Sequence, residues 1–297
     1  LARDFLAGGT QKPPTGEVTT MMYAYDPAIN LVLFETIKDL LPPRPEHPWG
    51  CHRKRVDDIV CFTWLLHRLV TGASWETLEA MSGHAVSDTT LRARRTEWVD
   101  AGIFEQLADQ ALLGYHRLIG LDLSDVCIDG SDHLAPCGGK GAGHGIKHPG
   151  RLSWKWCMAV DADGIPMAWV IDAGNRNDYA MFFPVLDQLA ERDWARLIDR
   201  LNADRGFNYA STPDKVTAYG ITNFVAPPRN KREQGTVALV GLGRRWIVEA
   251  ANSWLRAYGQ LRRNTDRKPE HRHAALCFAI ALFITHRLRN PRTSPIR

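Results

Sequence analysis

Large apolar residues recur at helical spacing through the first third of the chain, then give way to short runs with the character of strands. "INLVLFETIKDLL", from Ile29, repeats its apolar residues every three or four positions and stops at Pro42 and Pro43, which cannot continue a helix. "RVDDIVCFTWLLHRLVTG", from Arg55, is a second amphipathic helix, closed by Gly72. Ser74 opens "SWETLEAMSG" as an N-cap, with Gly83 at its end, and Ser87 or Asp88 opens "TTLRARRTEWVDAG". Two short helices joined by a glycine-containing turn, the second carrying Arg92, Arg94 and Arg95, have the pattern of a helix-turn-helix unit.

From Leu121 the period changes. "VCIDGS", "WKWCMAVD" and "IPMAWVID" read as strands, the last two joined by a turn at Asp163-Gly164. Asp178 starts a helix, "RLIDRLNAD" reads as a further strand, and two helices close the chain, Arg245 to about Leu261 and Glu270 to about Leu288. Three antiparallel strands, a helix and another strand predict a mixed α/β domain. The expected division is a tail at 1–26, a helical unit at 27–120, the α/β domain at 121–290 and a tail at 291–297. "AALCFAIALFITH", from Ala274, is too short to span a bilayer and reads as a buried helix. With no secretion signal in the first residues either, the expected location is the cytoplasm.

Composition adds one feature. The net charge is only +4, but from Ala226 onward there are 15 Lys and Arg against 4 Asp and Glu, leaving 22 against 29 elsewhere. A basic block of that kind suits a polyanion, and a phosphate backbone is the plainest candidate. The six cysteines form no Cys-x-x-Cys pair and read as reduced thiols. His133, Cys137, His144 and His148 fit no compact zinc finger, and the glycines among them suggest a mobile loop whose Lys140, Lys147 and His148, with Lys155 beyond it, could touch DNA.

Three carboxylates hold the candidate chemistry. Asp129 ends the apolar run of "VCIDGSDH" and Asp204 ends that of "RLNADRGFN", although a turn or a cap would explain either one alone. Glu249 is the sole acid in "RRWIVEAANSWLRAYGQLRR", on a helix whose apolar stripe runs through Ile247, Ala251, Trp254 and Tyr258. It falls instead with Arg245, Asn252 and Arg256. Carboxylates gathered closely repel unless a cation lies between them, and Mg²⁺ is a hard, oxygen-seeking cation of that kind. Asp132 is an alternative ligand.

The ordered motifs "IDGSDH", "GIKHPGRLSWKWCMAVDADGIPMAWVIDAGNRNDYAMFFPVLDQL", "NADRGFN", "VAPPRNKRE" and "RRWIVEAANSWLRAYGQLRR" resemble the DDE transposases of bacterial insertion sequences, in the group named after insertion sequence five. That resemblance implies a ribonuclease-H-like domain, a mixed sheet flanked by helices, preceded by an all-helical DNA-binding domain. It also implies that Asp129, Asp204 and Glu249 are catalytic and hold Mg²⁺, with Mn²⁺ able to substitute. The implied activity is binding of terminal inverted repeats, followed by strand cleavage and strand transfer on double-stranded DNA by a homodimer in a synaptic complex. A relative that binds DNA without cutting it is the alternative. Arg245 and Arg256 match the family's arginine and basic places around the glutamate, whereas the family's tyrosine place is Leu242. Trp246 or Trp254 could stack on a base instead, and Arg262, Arg263, Arg92, Arg94, Arg95 and Lys147 are the remaining candidate DNA contacts.

Overall fold

The computed structural model describes residues 26–43, 55–228 and 246–289. The helical first third is assembled as its caps dictate. Asp26 accepts the Ala28 N–H at 2.8 Å and opens α1 (Pro27–Ile37). Helix α2 (Asp58–Thr71) ends on Gly72, whose φ of 72° is left-handed. Ser74 accepts the Thr77 N–H to open α3 (Trp75–Met81), and Ser87 accepts the Thr90 N–H to open α4 (Asp88–Asp100). Helix α5 (Ile103–Leu118) completes this part.

The sheet is built from β1 (Val126–Leu134), β2 (Gly143–His144), β3 (Leu152–Val160), β4 (Pro166–Ala173), β5 (Leu201–Ala203) and β6 (Phe224–Val225). Strands β1, β3 and β4 form an antiparallel meander with β3 in the middle; β5 joins the other edge of β1 in parallel, and β6 follows β5 in parallel. Strand β2 adds a short antiparallel piece to the start of β3. Helices α6 (Asp178–Glu191) and α7 (Thr212–Thr217) lie in the connections between β4, β5 and β6. The chain closes with α8 (Trp246–Arg256), α9 (Gly259–Arg262) and α10 (Pro269–Arg289). This is a ribonuclease-H-like α/β fold: a mixed sheet flanked by helices, with further helices ahead of it.

Two expected elements differ. Most of "RLIDRLNAD" is not strand, because Ala195–Leu197 is a 3₁₀ turn and only Leu201–Ala203 pairs. The first closing helix does not run to Leu261. It breaks after Arg256 and restarts beyond Tyr258, whose ψ of 125° is extended. The cause is a backbone contact. A Cβ on Gly259 would stand 2.3 Å from the Thr71 carbonyl, so the chain leaves the helix where a bare glycine can lie against the end of α2.

The middle of α10 is apolar all round, and residues Ala274 to Thr285 are buried without exception, as expected for a helix inside a core. It packs on α5 and α1, and the Phe278 ring lies 5.2 Å from both Phe62 and Phe104. One apolar cluster therefore runs from the leading helices into the sheet. Beside it, Asp266 is buried between Arg95 and Arg68 and accepts from Gln260 at 3.0 Å. Burial works against the Asp266 carboxylate, but the two arginines outweigh it and hold its pKa below the usual range.

Replacing Gly259→Ala forces Cβ into the Thr71 peptide and should destabilise the protein by about 2 kcal/mol or more, read as a lower urea midpoint. An unchanged midpoint would show that the α2–α9 contact can open freely.

Candidate active site

Adjacent parallel strands bring the first two acids together. The register of β1 with β5 pairs Ile128 with Ala203, and the next residue along each strand is Asp129 and Asp204. Neighbouring strands lie about 4.8 Å apart, so the two residues stand side by side, Asp204 just past the end of β5 but Asp129 inside β1, which does not stop there as its apolar run suggests and stays paired with β3 to Leu134. Each carboxylate also organises its own backbone: Asp129 Oδ1 accepts the Gly130 N–H at 2.8 Å, and Asp204 Oδ1 accepts the Arg205 N–H at 2.7 Å while capping a 3₁₀ turn. Both residues are half-buried.

The third acid arrives on α8, and the packing of that helix sets its position. Asp129, Ser131 and His133 alternate onto one face of β1, opposite Met158, Trp156 and Trp154 of β3. The Trp156 indole N–H donates to Asn252 Oδ1 of α8 at 2.7 Å, in a fully buried contact. Helix α8 therefore lies over the face that carries Asp129. Its direction follows from two further contacts. Ile247, at the start of α8, lies against Gly164 in the turn after β3, next to Val160 and its partner Cys127 at the start of β1, while Arg267, beyond the helix, lies against Gly139 just past the end of β1. Helix and strand therefore run the same way. One turn before Asn252, Glu249 lies toward the Asp129 end of that face and is exposed. The structure thus sets Asp129 and Asp204 side by side and carries Glu249 over the same face, but the three carboxylates do not all come within 4.8 Å of one another.

His133 itself is buried, with its ring 3.6 Å from that of Trp156 and its Nε2 without a hydrogen-bond partner among the described residues. Burial, and then Arg256, His148 and Lys147, push its pKa well below the ordinary histidine value. It is neutral, and the positive charge there belongs to the exposed Arg256 and Lys147. The other face of the sheet is occupied differently. Lys155 donates to Asp178 at 2.8 Å and to the Arg176 carbonyl, and a Cβ on Gly130 would stand 3.3 Å from the Asp178 carboxyl. Asp132 belongs to that face, three residues from Asp129, with His148 at 3.8 Å.

The expected DNA contacts divide. Arg256, Arg262, Arg263 and Lys147 are exposed, and Arg92 is about half exposed while pairing with Asp88 and Glu76. Arg94 and Arg95 are not presented to a phosphate. Arg94 is 4% exposed, bonded to Asp58 and to the Val56 carbonyl, and Arg95 is consumed by Asp266, His271 and the Trp75 ring. Trp254 is also turned inward: its ring stacks on Phe283 at 5.6 Å with Arg287 at 4.8 Å, which leaves Trp246, 44% exposed, as the accessible tryptophan of α8. Lys155 faces Asp178 rather than solvent. The glycine-rich loop is tied down, since the buried Arg272 guanidinium donates to the carbonyls of Gly138 and Lys140. Leu242 and Arg245 lie outside the described residues. Sequence reasoning did not single out Asn252 and His133 as parts of the site; the only sign of Asn252 was a polar residue one turn from Glu249.

Beyond this geometry, the family described as "Transposase DDE domain" matches residues 120–284, more than half of the chain. The chain belongs to that family. A curated relative from Burkholderia cepacia, a candidate transposase for insertion sequence element IS402, is 28% identical over 145 residues. That match covers 47% of this chain and 66% of the relative, just under two thirds of its length. No solved structure matches significantly. The DDE domain so defined contains β1, β5 and α8, the three elements that carry the acids.

Two substitutions separate the architecture of the site from its chemistry. Asn252→Ala leaves the Trp156 N–H buried without a partner and should cost about 1–3 kcal/mol of stability in urea unfolding. Arg94→Ala should also lower stability by about 1 kcal/mol or more while leaving DNA affinity within about twofold. A large loss of affinity in that variant at unchanged stability would return Arg94 to the DNA face.

Proposed function

We propose that this protein is a DNA transposase that binds the terminal inverted repeats of its own element and both cuts and joins DNA at a site formed by Asp129, Asp204 and Glu249. The observation that carries the reading is the parallel pairing of β1 with β5, which sets Asp129 and Asp204 side by side on the face over which α8 runs with β1 and carries Glu249 toward them. Family membership supports the same assignment.

The donor set fits Mg²⁺, or Mn²⁺ in its place. It is made of carboxylate oxygens, and the one imidazole on that face, His133, is stacked away on Trp156 and held neutral. Such ions, when bound, activate the attacking oxygen and stabilise the leaving oxygen of a phosphodiester. The rest falls to the chain. Asp129 and Asp204 fix the site from the sheet, and Glu249 closes it from α8. Arg256, exposed two turns beyond Glu249, holds a neighbouring phosphate, with the exposed Lys147 as a further phosphate contact. Burial of His133 keeps the imidazole from adding a proton donor there.

In the first stage a water oxygen bonds to phosphorus and the 3′ oxygen leaves, freeing a 3′-hydroxyl. In the second that hydroxyl attacks phosphorus in target DNA, and the bond broken is the target's own P–O3′ bond. Neither stage attaches DNA to the protein. Two ends must be held for joining, which favours a homodimer in the synaptic complex. Double-stranded DNA is the partner. Among the described residues no helix is long and apolar enough to cross a membrane.

Labelled duplex carrying the element's end, incubated with Mg²⁺, tests the reading. Asp129→Asn and Glu249→Gln should lower cutting by about 1000-fold or more while binding changes only a few-fold. Cutting at the wild-type rate in either variant removes the site assignment. Binding without cutting by the wild-type chain makes it a DNA-binding relative, and cutting without joined products makes it a nuclease.

A further inference from the structure

A second group of ligand-type side chains lies away from the acids, in the seam between α5 and α10. His273 and Cys277 are one turn apart on α10, the spacing that places two side chains on one helix face. Glu105, in the first turn of α5, meets them from the facing helix. Its Oε1 is 3.0 Å from His273 Nδ1, and Cys277 Sγ is 3.9 Å from Nδ1 and 3.7 Å from Nε2 of the same ring. All three donor atoms lie within 4.8 Å of one another. Around a tetrahedral zinc ion, with Zn–N about 2.0 Å and Zn–S about 2.3 Å, nitrogen and sulfur stand about 3.6 Å apart. The three side chains are therefore already close to the arrangement of a zinc site.

Two independent observations point to a ligand. Glu105 Oε2 is buried with no hydrogen-bond partner among the described residues, a costly state for a carboxylate oxygen unless something else meets it. The Trp169 indole N–H donates to Cys277 Sγ at 3.2 Å, a hydrogen bond of the kind that orients and stabilises a metal-bound thiolate. We propose that Glu105, His273 and Cys277 bind one zinc ion, with water as the fourth ligand. Glu105 and His273 are each about a third exposed, which gives the ion and its water a way in, while Cys277 is closed off beneath them.

The chemistry separates this site from the acids beside Asp129. Thiolate, imidazole and carboxylate together select a borderline cation such as Zn²⁺, and disfavour Mg²⁺, which takes oxygen. The consequence is structural: the ion cross-links the last helix of the described chain to a helix that precedes the DDE domain. Without metal, burial opposes a charge on His273, but Cys277 and Glu105 outweigh it and raise the imidazole to about 10. Zinc binding then displaces the proton from His273.

The full-length chain, stripped with chelator and titrated with Co²⁺, tests this through the thiolate-to-cobalt absorption band, with zinc content and melting temperature as companion measurements. The expected results are one zinc per chain as purified, a cobalt band that saturates at one equivalent and survives excess Mg²⁺, and a higher melting temperature with zinc. Cys277→Ser should abolish the band, and Cys137→Ser, which changes an exposed thiol outside the cluster, should leave it intact. Absence of a band in the wild-type chain overturns the proposal whether or not Cys277→Ser folds. So does a band that persists in a folded Cys277→Ser, or one that Cys137→Ser removes.

Discussion

The packing of α8 along β1 is the constraint on which the candidate site depends. Asp129 and Asp204 need only the parallel pairing of β1 with β5, a local property of the sheet. Glu249 belongs to a helix far along the chain and reaches them only if that helix lies on the correct face, in the correct direction and at the correct level. The Trp156–Asn252 hydrogen bond fixes the face, and the contacts of Ile247 with Gly164 and of Arg267 with Gly139 fix the direction. A buried indole N–H costs about 1–3 kcal/mol when unpaired, so the same bond that positions Glu249 also penalises any slip of the helix.

The helices before the sheet are part of this arrangement. Helix α10 fills the space between them and the DDE domain, and Phe278 touches Phe62 and Phe104 from opposite ends of the leading segment. Asp266 binds Arg68 of α2 and Arg95 of α4, and Gly259 rests on the end of α2. The loop that follows α8 is thus anchored to the leading helices, and Glu105, His273 and Cys277 lie in the same seam.

Much of this was legible in the chain itself. Ser74 and Ser87 cap as their positions suggest, Gly72 and Gly164 adopt the left-handed conformations their turns require, and the meander of β1, β3 and β4 follows from its residue pattern. Asp129 and Asp204 could be picked out as acids that close apolar runs, although only Asp204 lies at a strand end and β1 continues past Asp129 to Leu134. What could not be read were the long-range partners. Arg94 and Arg95 look like DNA contacts in "LRARR" because nothing nearby reveals that Asp58 and Asp266, 36 and 171 residues away, will take them. Trp254 looked available for a base because Phe283 and Arg287 sit on another helix. The break after Arg256 was hidden for the same reason: helical periodicity carries no record of the Thr71 peptide at the end of α2, against which Gly259 must lie.

Anomalous diffraction from crystals of the protein soaked in Mn²⁺ tests the central claim most directly. The account predicts a manganese peak bonded to both Asp129 and Asp204 at about 2.2 Å, with the Glu249 carboxylate within reach of it or of a second peak about 3.5–4 Å away. Manganese bound elsewhere, or α8 lying so that Glu249 is turned from both aspartates with DNA present, would contradict it.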